Sequence, residues 1–192
     1  MITMEPEAGP TTIAPAAFAA VALILREHDD GLQLLLIQRT VSESDPWSGH
    51  VALPGGRQDP TDPCLRYTAE REVLEEVGID LGAHATYLGR LPDIQARARG
   101  RQLNLTIRPF VFHLDQPVSM RLHPGEVAGA LWVSLDLLIS GQADSQYSHT
   151  LTDDVSGSKR TYHLPAYQVE GLIVWGLTYA MLSEFLRRAS SS

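Results

Sequence analysis

The rhythm of apolar and polar positions divides the chain into a few well-marked elements. Residues 16–25 form an unbroken apolar run, AAFAAVALIL, which predicts a strand buried on both faces. The run is too short to span a bilayer, and Glu5 and Glu7 stand where a secretion leader would carry basic residues. His28-Asp29-Asp30-Gly31 then predicts a hairpin turn, with Asp-Gly supplying the positive φ angles, and Leu32 to Gln38 the return strand, closed by Arg39. After a polar loop the period changes. Leu65, Ala69, Val73 and Val77 recur at four-residue spacing, the mark of one buried helix face. Asp62-Pro63 predicts the helix cap and first turn, and Gly78 its stop.

Further strands are expected at Ala85 to Leu91, Leu103 to Leu114 and around Val127 to Val133, with Ser134 leading into a short helix ending at Leu138. Pro109 suggests that its strand is an edge or carries a bulge. Between the first two lies a Gly-containing loop in which Arg97, Arg99 and Arg101 alternate. Tyr147 to Val155 and Thr161 to Leu164 suggest a hairpin, and from Glu170 a largely apolar helix runs to Arg187 and Arg188. Strands alternating with helices in this order predict an α/β fold, a mixed sheet between helices. Residues 1–15, rich in Pro, Thr and Glu, are expected to be poorly ordered, leaving one domain over 16–192.

Composition narrows the classes. The chain has 192 residues, 44% of them hydrophobic and 20% charged, as in a soluble globular domain. The formal net charge of −8 argues against a broad nucleic-acid surface, which needs a basic footprint. A single cysteine, Cys64, excludes an internal disulfide and is expected to pack at the helix start. With no membrane span or leader, the expected setting is cytoplasmic.

Chemistry concentrates on the predicted helix. Glu72, Glu75 and Glu76 lie at i, i+3 and i+4, so they share one side of the helix and repel one another. A hard divalent cation relieves that repulsion, since Mg²⁺ or Mn²⁺ takes carboxylate oxygens and keeps waters for a phosphate and a nucleophile. The plain alternative is a solvated acidic face with Arg71 and Glu75 as an i, i+4 pair. The preceding Leu53-Pro54-Gly55-Gly56 favours the metal, because paired glycines let backbone come close to the helix.

Arg71, Glu72, Val73, Glu75, Glu76, Gly78 and Ile79 resemble the second half of the Nudix hydrolase signature, R-E-apolar-x-E-E-x-G-apolar. The first half departs. From Gly56 to Arg71 the chain is one position longer than the signature, and its expected Glu is absent, with Asp59 and Asp62 as the acids in that stretch. The resemblance implies a Nudix α/β/α sandwich in which Glu72, Glu75 and Glu76 hold Mg²⁺ or Mn²⁺ and the Gly55 carbonyl adds a ligand. It implies that Arg71 orients the acids through a salt bridge, and that Glu126, within HPGEVAGALWVSL, reaches the metals as ligand or base. The base could equally be Glu72 or Glu75. Arg39, Arg97, Arg99 and Arg101 are the candidate substrate-phosphate cations.

Leu35-Leu36-Ile37-Gln38-Arg39-Thr40, Gly49-x-x-x-Leu53-Pro54-Gly55-Gly56 and Trp175-Gly176-Leu177-Thr178 resemble the coenzyme A pyrophosphatase branch of the family. Ser44 stands near an expected Arg, and Leu53 replaces Phe. The resemblance implies hydrolysis of a nucleoside diphosphate linked to another moiety, coenzyme A or its derivatives among them, by water attack on phosphorus. ADP-ribose, dinucleotides and damaged nucleoside triphosphates are alternative substrates, and a nucleotide-binding module without turnover is the non-enzymatic reading. The last helix is expected to combine core packing with a homodimer contact.

Overall fold

In the computed structural model, residues 17–41, 49–98, 101–152 and 158–190 are described. The apolar run becomes β1 (Ala17–His28), which turns at Asp29-Asp30 into β2 (Gly31–Arg39). The hairpin closes with His28 opposite Gly31, and of its residues Gly31 alone has positive φ, +105°. Its turn is therefore Asp29-Asp30, one residue earlier than Asp-Gly predicts.

β1 is the axis of a mixed eight-stranded sheet. It pairs in parallel with β7 (Arg101–Leu114) and antiparallel with β2 and with β4 (Gly55–Arg57). β3 (Val51–Ala52) and β8 (Val127–Ser134) add to β2, while β5 (Ala85–Arg90) and β6 (Ile94–Ala98) add to β7. Alternation along β1 explains why its sequence looks uniformly apolar. Ala20, Ala22 and Ile24 pack with Ala69, Val73 and Val77 of helix α1 (Leu65–Val77). Ala19, Leu23 and Leu25 face the opposite core, with Leu135 and Leu138 of α3 (Leu135–Ile139) and Met181, Leu182 and Leu186 of α4 (Gly176–Ala189). Both faces are covered, giving the expected α/β/α sandwich with a mixed sheet. A short helix α2 (Leu81–His84) follows α1.

Three local expectations are corrected. Pro109 lies inside the sheet, opposite Val21 of β1. It is tolerated because the partners on the other side of β7 change there. Ladder pairs with β6 reach Ile107, those with β5 resume at Phe110, and the Pro109 carbonyl accepts from Leu91 N–H. The expected Arg-rich loop is a hairpin of β6 and β7, with the Arg97 backbone paired to Gln102. Arg99 lies outside the described residues, as do the side chains of Arg97 and Arg101.

The helix expected from Glu170 starts later. Leu172–Trp175 is a strand, β11, which with β10 (Lys159–Val169) and β9 (Asp144–Thr152) forms a separate three-stranded sheet. Glu170, Gly171 and Gly176 have φ of 49°, 79° and 64°, left-handed positions that break a helix on both sides of the β-branched Ile173-Val174. The apolar side chains Met181, Leu182 and Leu186 of α4 are buried in the chain's own core, so a partner copy would have to meet other positions. Among the described residues, no helix is long and apolar enough to cross a membrane.

Gly55 is where sequence and packing are most tightly tied. Its φ is +147°, and a Cβ there would run into the Ala20 carbonyl and Val21 Cα of β1. Neither neighbour is a flexible side chain, so Gly55→Ala should lower stability by about 3 kcal/mol in urea unfolding. A loss below about 0.5 kcal/mol would show that β4 is free to move away from β1.

Candidate active site

The site forms where the start of β4 passes beneath helix α1. The helix begins at Leu65 with Cys64 in the N-cap position, and no side chain caps it; it ends at Gly78 in the left-handed conformation. The expected Asp62 cap is thus corrected, and Cys64 is exposed rather than packed. Asp62 is nonetheless buried. Its carboxylate accepts from Arg71 Nε and Nη2, both at 3.0 Å, from Asp59 N–H at 2.9 Å and from Thr68 Oγ1 at 2.9 Å. Hydrogen bonding by Arg71 is the main cause that holds Asp62 down to about 2. Asp59 binds Thr61 instead.

From this anchor, Arg71 reaches three further acceptors. Its Nη2 donates to the Arg57 carbonyl at 3.2 Å and lies 3.0 Å from Glu72 Oε1, and its Nη1 donates to Glu75 Oε2 at 3.1 Å. The guanidinium therefore ties the loop before α1, strand β4 and the acids of α1 into one unit.

The three glutamates, adjacent on the helix surface, meet different surroundings. Glu75 is the outermost, with 53% of its side chain exposed, and Glu72 retains 14%. Glu76 is buried, at 2%, and accepts from Gly55 N–H at 2.8 Å, with Arg39 Nη1 3.8 Å from its other oxygen. Burial pushes Glu76 up to about 8, and the negative charges of Glu72 and Glu126 add to the shift against the Gly55 hydrogen bond and Arg39. Glu72 is likewise raised, first by burial, with Glu75 and Glu126 contributing. Glu126, far away in sequence, thus shares one electrostatic field with Glu72 and Glu76. It is brought there by the segment before β8, whose backbone binds α1 at Arg121 N–H to Val77 O and His123 N–H to Glu76 O. Its side chain is half exposed, 3.7 Å from His123.

Gly56 completes the floor. A Cβ at this position would occupy the space of the Glu72 carboxylate. At Gly55 the contact to the acids is made by the N–H, to Glu76. Among the described residues, no three His, Cys, Asp or Glu side chains already converge as a metal cage. Ser44 lies outside the described residues. Sequence reasoning missed Thr68 and the Arg57 carbonyl as partners of the Asp62–Arg71 unit, because neither contact follows a spacing rule. It also missed a cleft of about 510 Å³ on the Gly55–Gly56 side, lined in part by Arg39, His50, Arg57, Trp175 and Met181.

Comparison with known proteins bears out the family resemblance and the fold. The family model described as NUDIX domain matches residues 16–153. An uncharacterized protein of Schizosaccharomyces pombe is 37% identical over 151 residues, 78% of this chain and 45% of that protein. The peroxisomal coenzyme A diphosphatase ndx-8 of Caenorhabditis elegans is 34% identical over 140 residues, 71% of this chain and 55% of that one. The chain thus spans about half the length of these curated relatives. Among solved structures, a Nudix hydrolase from M. smegmatis, RenU, superposes with a TM-score of 0.57 at 17% identity, covering 92% of this chain and 86% of that one. A C. elegans Ap4A hydrolase binary complex gives 0.53 at 24%, covering 65% and 84%. At these identities the structural matches speak to the fold.

The Asp62–Arg71 unit should be visible in acid. A carboxylate held down to about 2 when folded, against about 4 when unfolded, stabilises fully above pH 4. That contribution is lost as pH falls through 2. Asp62→Asn should start less stable at neutral pH and fall less steeply between pH 4 and 2 than the unmodified protein, in urea unfolding followed by circular dichroism. Parallel curves for the two would show that Asp62 carries no such charge.

Proposed function

Because this chain belongs to the Nudix family, we propose that it is a Mg²⁺- or Mn²⁺-dependent diphosphohydrolase. Its substrate in this reading is a nucleoside diphosphate linked to another moiety, with coenzyme A-type diphosphates first. The observation that carries the reading is the shared field of Glu72, Glu76 and Glu126 above the glycine floor.

The residues fit a hard divalent cation. Members of the family generally use divalent metals, and the donors here are all oxygens. Glu72 and Glu76 are both pushed upward, first by burial and further by neighbouring carboxylates, Glu126 among them, a penalty that a nearby cation reverses. The glycine at 56 leaves the space in which the Glu72 carboxylate sits. Glu72 and Glu76 would hold the ion, with Glu75 and the Gly55 carbonyl as further ligands. When bound, the cation supplies neutralisation of phosphate charge and acidification of the attacking water.

The chain's own groups do the rest. Gly55 N–H fixes one oxygen of Glu76, so the helix and strand cannot separate without exposing that hydrogen bond. Arg71 keeps Glu72 turned toward Gly56 and draws Glu75 alongside. Glu126, exposed to solvent and coupled to the other acids, serves as proton acceptor, with Glu72 or Glu75 as alternatives. Arg39, beside Glu76 and among the residues lining the cleft, would meet a substrate phosphate. Support for coenzyme A-type substrates comes from the 34% identical relative named as a coenzyme A diphosphatase and from Leu35–Thr40 and Gly49–Gly56.

Incubation with coenzyme A, ADP-ribose, NADH, dinucleoside polyphosphates and 8-oxo-dGTP, with Mg²⁺ and with Mn²⁺ and product masses read out, tests the reading. Release of 4′-phosphopantetheine and 3′,5′-ADP is expected from coenzyme A. Glu72→Gln, Glu75→Gln and Glu76→Gln should each lower kcat about 100-fold or more, with thermal melts close to that of the unmodified protein. Full activity in both Glu75→Gln and Glu76→Gln would refute the metal assignment.

A further inference from the structure

Glu126 joins the carboxylates from outside helix α1, and its backbone shows how it is held there. His123 N–H donates to the Glu76 carbonyl of α1 at 2.9 Å. The His123 carbonyl in turn accepts from Glu126 N–H at 3.1 Å and from Val127 N–H at 2.9 Å. On the other side, Thr40 N–H donates to the Glu126 carbonyl at 2.9 Å. Residues 123–126 are therefore a turn pinned to the helix at one end and to the end of β2 at the other. The pairing of β8 with β2 slips beside this turn. Gln38 faces Gly129 and Arg39 faces Val127, so Ala128 has no counterpart. Such a bulge re-aims the chain next to it.

These bonds fix the backbone of Glu126 and leave its side chain to be held by something else. That side chain is 52% exposed and shares the field of Glu72 and Glu76. Like charges drive it outward into water, whereas a proton acceptor has to stay within reach of the attacking water. Among the described residues, the basic group paired with its carboxylate is His123, with Nδ1 3.7 Å from Oε1. This is an approach, longer than a hydrogen bond, between two half-exposed side chains that a small rotation brings together. Gly125 leaves room for it. A Cβ at that position would stand 3.2 Å from Cε1 of the ring and 3.5 Å from Nδ1, so a side chain there would crowd the imidazole.

We propose that His123 is a positioning residue for the hydrolytic step. Its ring, carrying the proton on Nδ1, donates to Oε1 of Glu126 and leaves Oε2 to take the proton of the attacking water. A neutral ring suffices, with Nε2 as its unprotonated nitrogen. His123 loses no proton in this arrangement, and Glu126 alone changes its protonation. The proposal rests on the diphosphohydrolase reading for the part Glu126 plays, and on the turn alone for the pairing.

Two measurements on the full chain test it. The first needs neither metal nor substrate. Ring nitrogen chemical shifts, recorded about two pH units or more above the usual histidine pKa, report which nitrogen of neutral His123 carries the proton. The resonance is assigned by its loss in His123→Asn. Nδ1–H is expected in the unmodified protein, with a shift towards Nε2–H in Glu126→Ala. An Nε2–H ring in the unmodified protein, or a ring unaffected by Glu126→Ala, would overturn the proposal. The second is steady-state kinetics with Mg²⁺ and coenzyme A, or the best-cleaved diphosphate of the panel above. His123→Ala should lower kcat about tenfold and leave KM and Mn²⁺ affinity essentially unchanged. His123→Asn, whose amide nitrogen stands in for Nδ1, should recover most of that loss. In a Glu126→Gln background, His123→Ala should cost nothing more. The same loss in that background, or a His123→Asn no better than His123→Ala, would show a purely structural role and overturn the proposal. Absence of cleavage across the panel would refute the hydrolase reading, and the ring measurement would then decide the pairing alone.

Discussion

A buried carboxylate held by a backbone N–H is the interaction on which this structure depends. Glu76 sits at 2% exposure with Gly55 N–H at 2.8 Å, and placing an acid there is costly unless something answers its charge. Arg39 at 3.8 Å answers it in part. The geometry exists because Gly55 can lie directly on β1, where any side chain would meet the Ala20 carbonyl. Helix α1 consequently comes down onto strand β4, and Glu72 comes to lie over Gly56. Stability alone would favour an apolar residue at position 76. An ionisable group kept there against its own desolvation points to function.

The surrounding fold makes that contact rigid. β1 pairs with β7 on one side and with β2 and β4 on the other, and both of its faces are covered. Arg71 then joins the segments that the sheet does not. Through Asp62, Glu72, Glu75 and the Arg57 carbonyl, it ties the loop before α1 to the helix and to β4. The acids are thus positioned by a rigid helix, a buried strand and one guanidinium, as a preorganised site requires. On the other side of the sheet, α4 closes the cleft that opens at the same glycines.

Legibility in the sequence followed the range of the interaction. Elements set by local pattern were readable: β1 and β2 as apolar runs with buried centres, α1 because its buried face repeats at four-residue spacing. The core of the signature was readable for the same reason, since Arg71 to Ile79 is one contiguous helix and its stop. What failed was set by partners distant in sequence. Asp62 has the chemistry of a cap, and only the approach of Arg71 and Thr68 shows its other use. Pro109 looked like an edge residue because the exchange of β6 for β5 beside it leaves no trace in β7 itself. Leu172–Trp175 continued a helical composition, and the left-handed Glu170, Gly171 and Gly176 that make it a strand were visible only as two glycines. The different environments of Glu72, Glu75 and Glu76, the heart of the site, could not be read from a helical wheel.

The central claim is that the carboxylates above Gly55 and Gly56 form a divalent-cation centre. Electron paramagnetic resonance titration with Mn²⁺ tests it without any choice of substrate. The account predicts saturable binding to the unmodified protein, weakened about tenfold or more in Glu72→Gln and in Glu76→Gln and unchanged in Asp59→Asn, whose side chain binds Thr61. Equal Mn²⁺ affinity in all four proteins would contradict it.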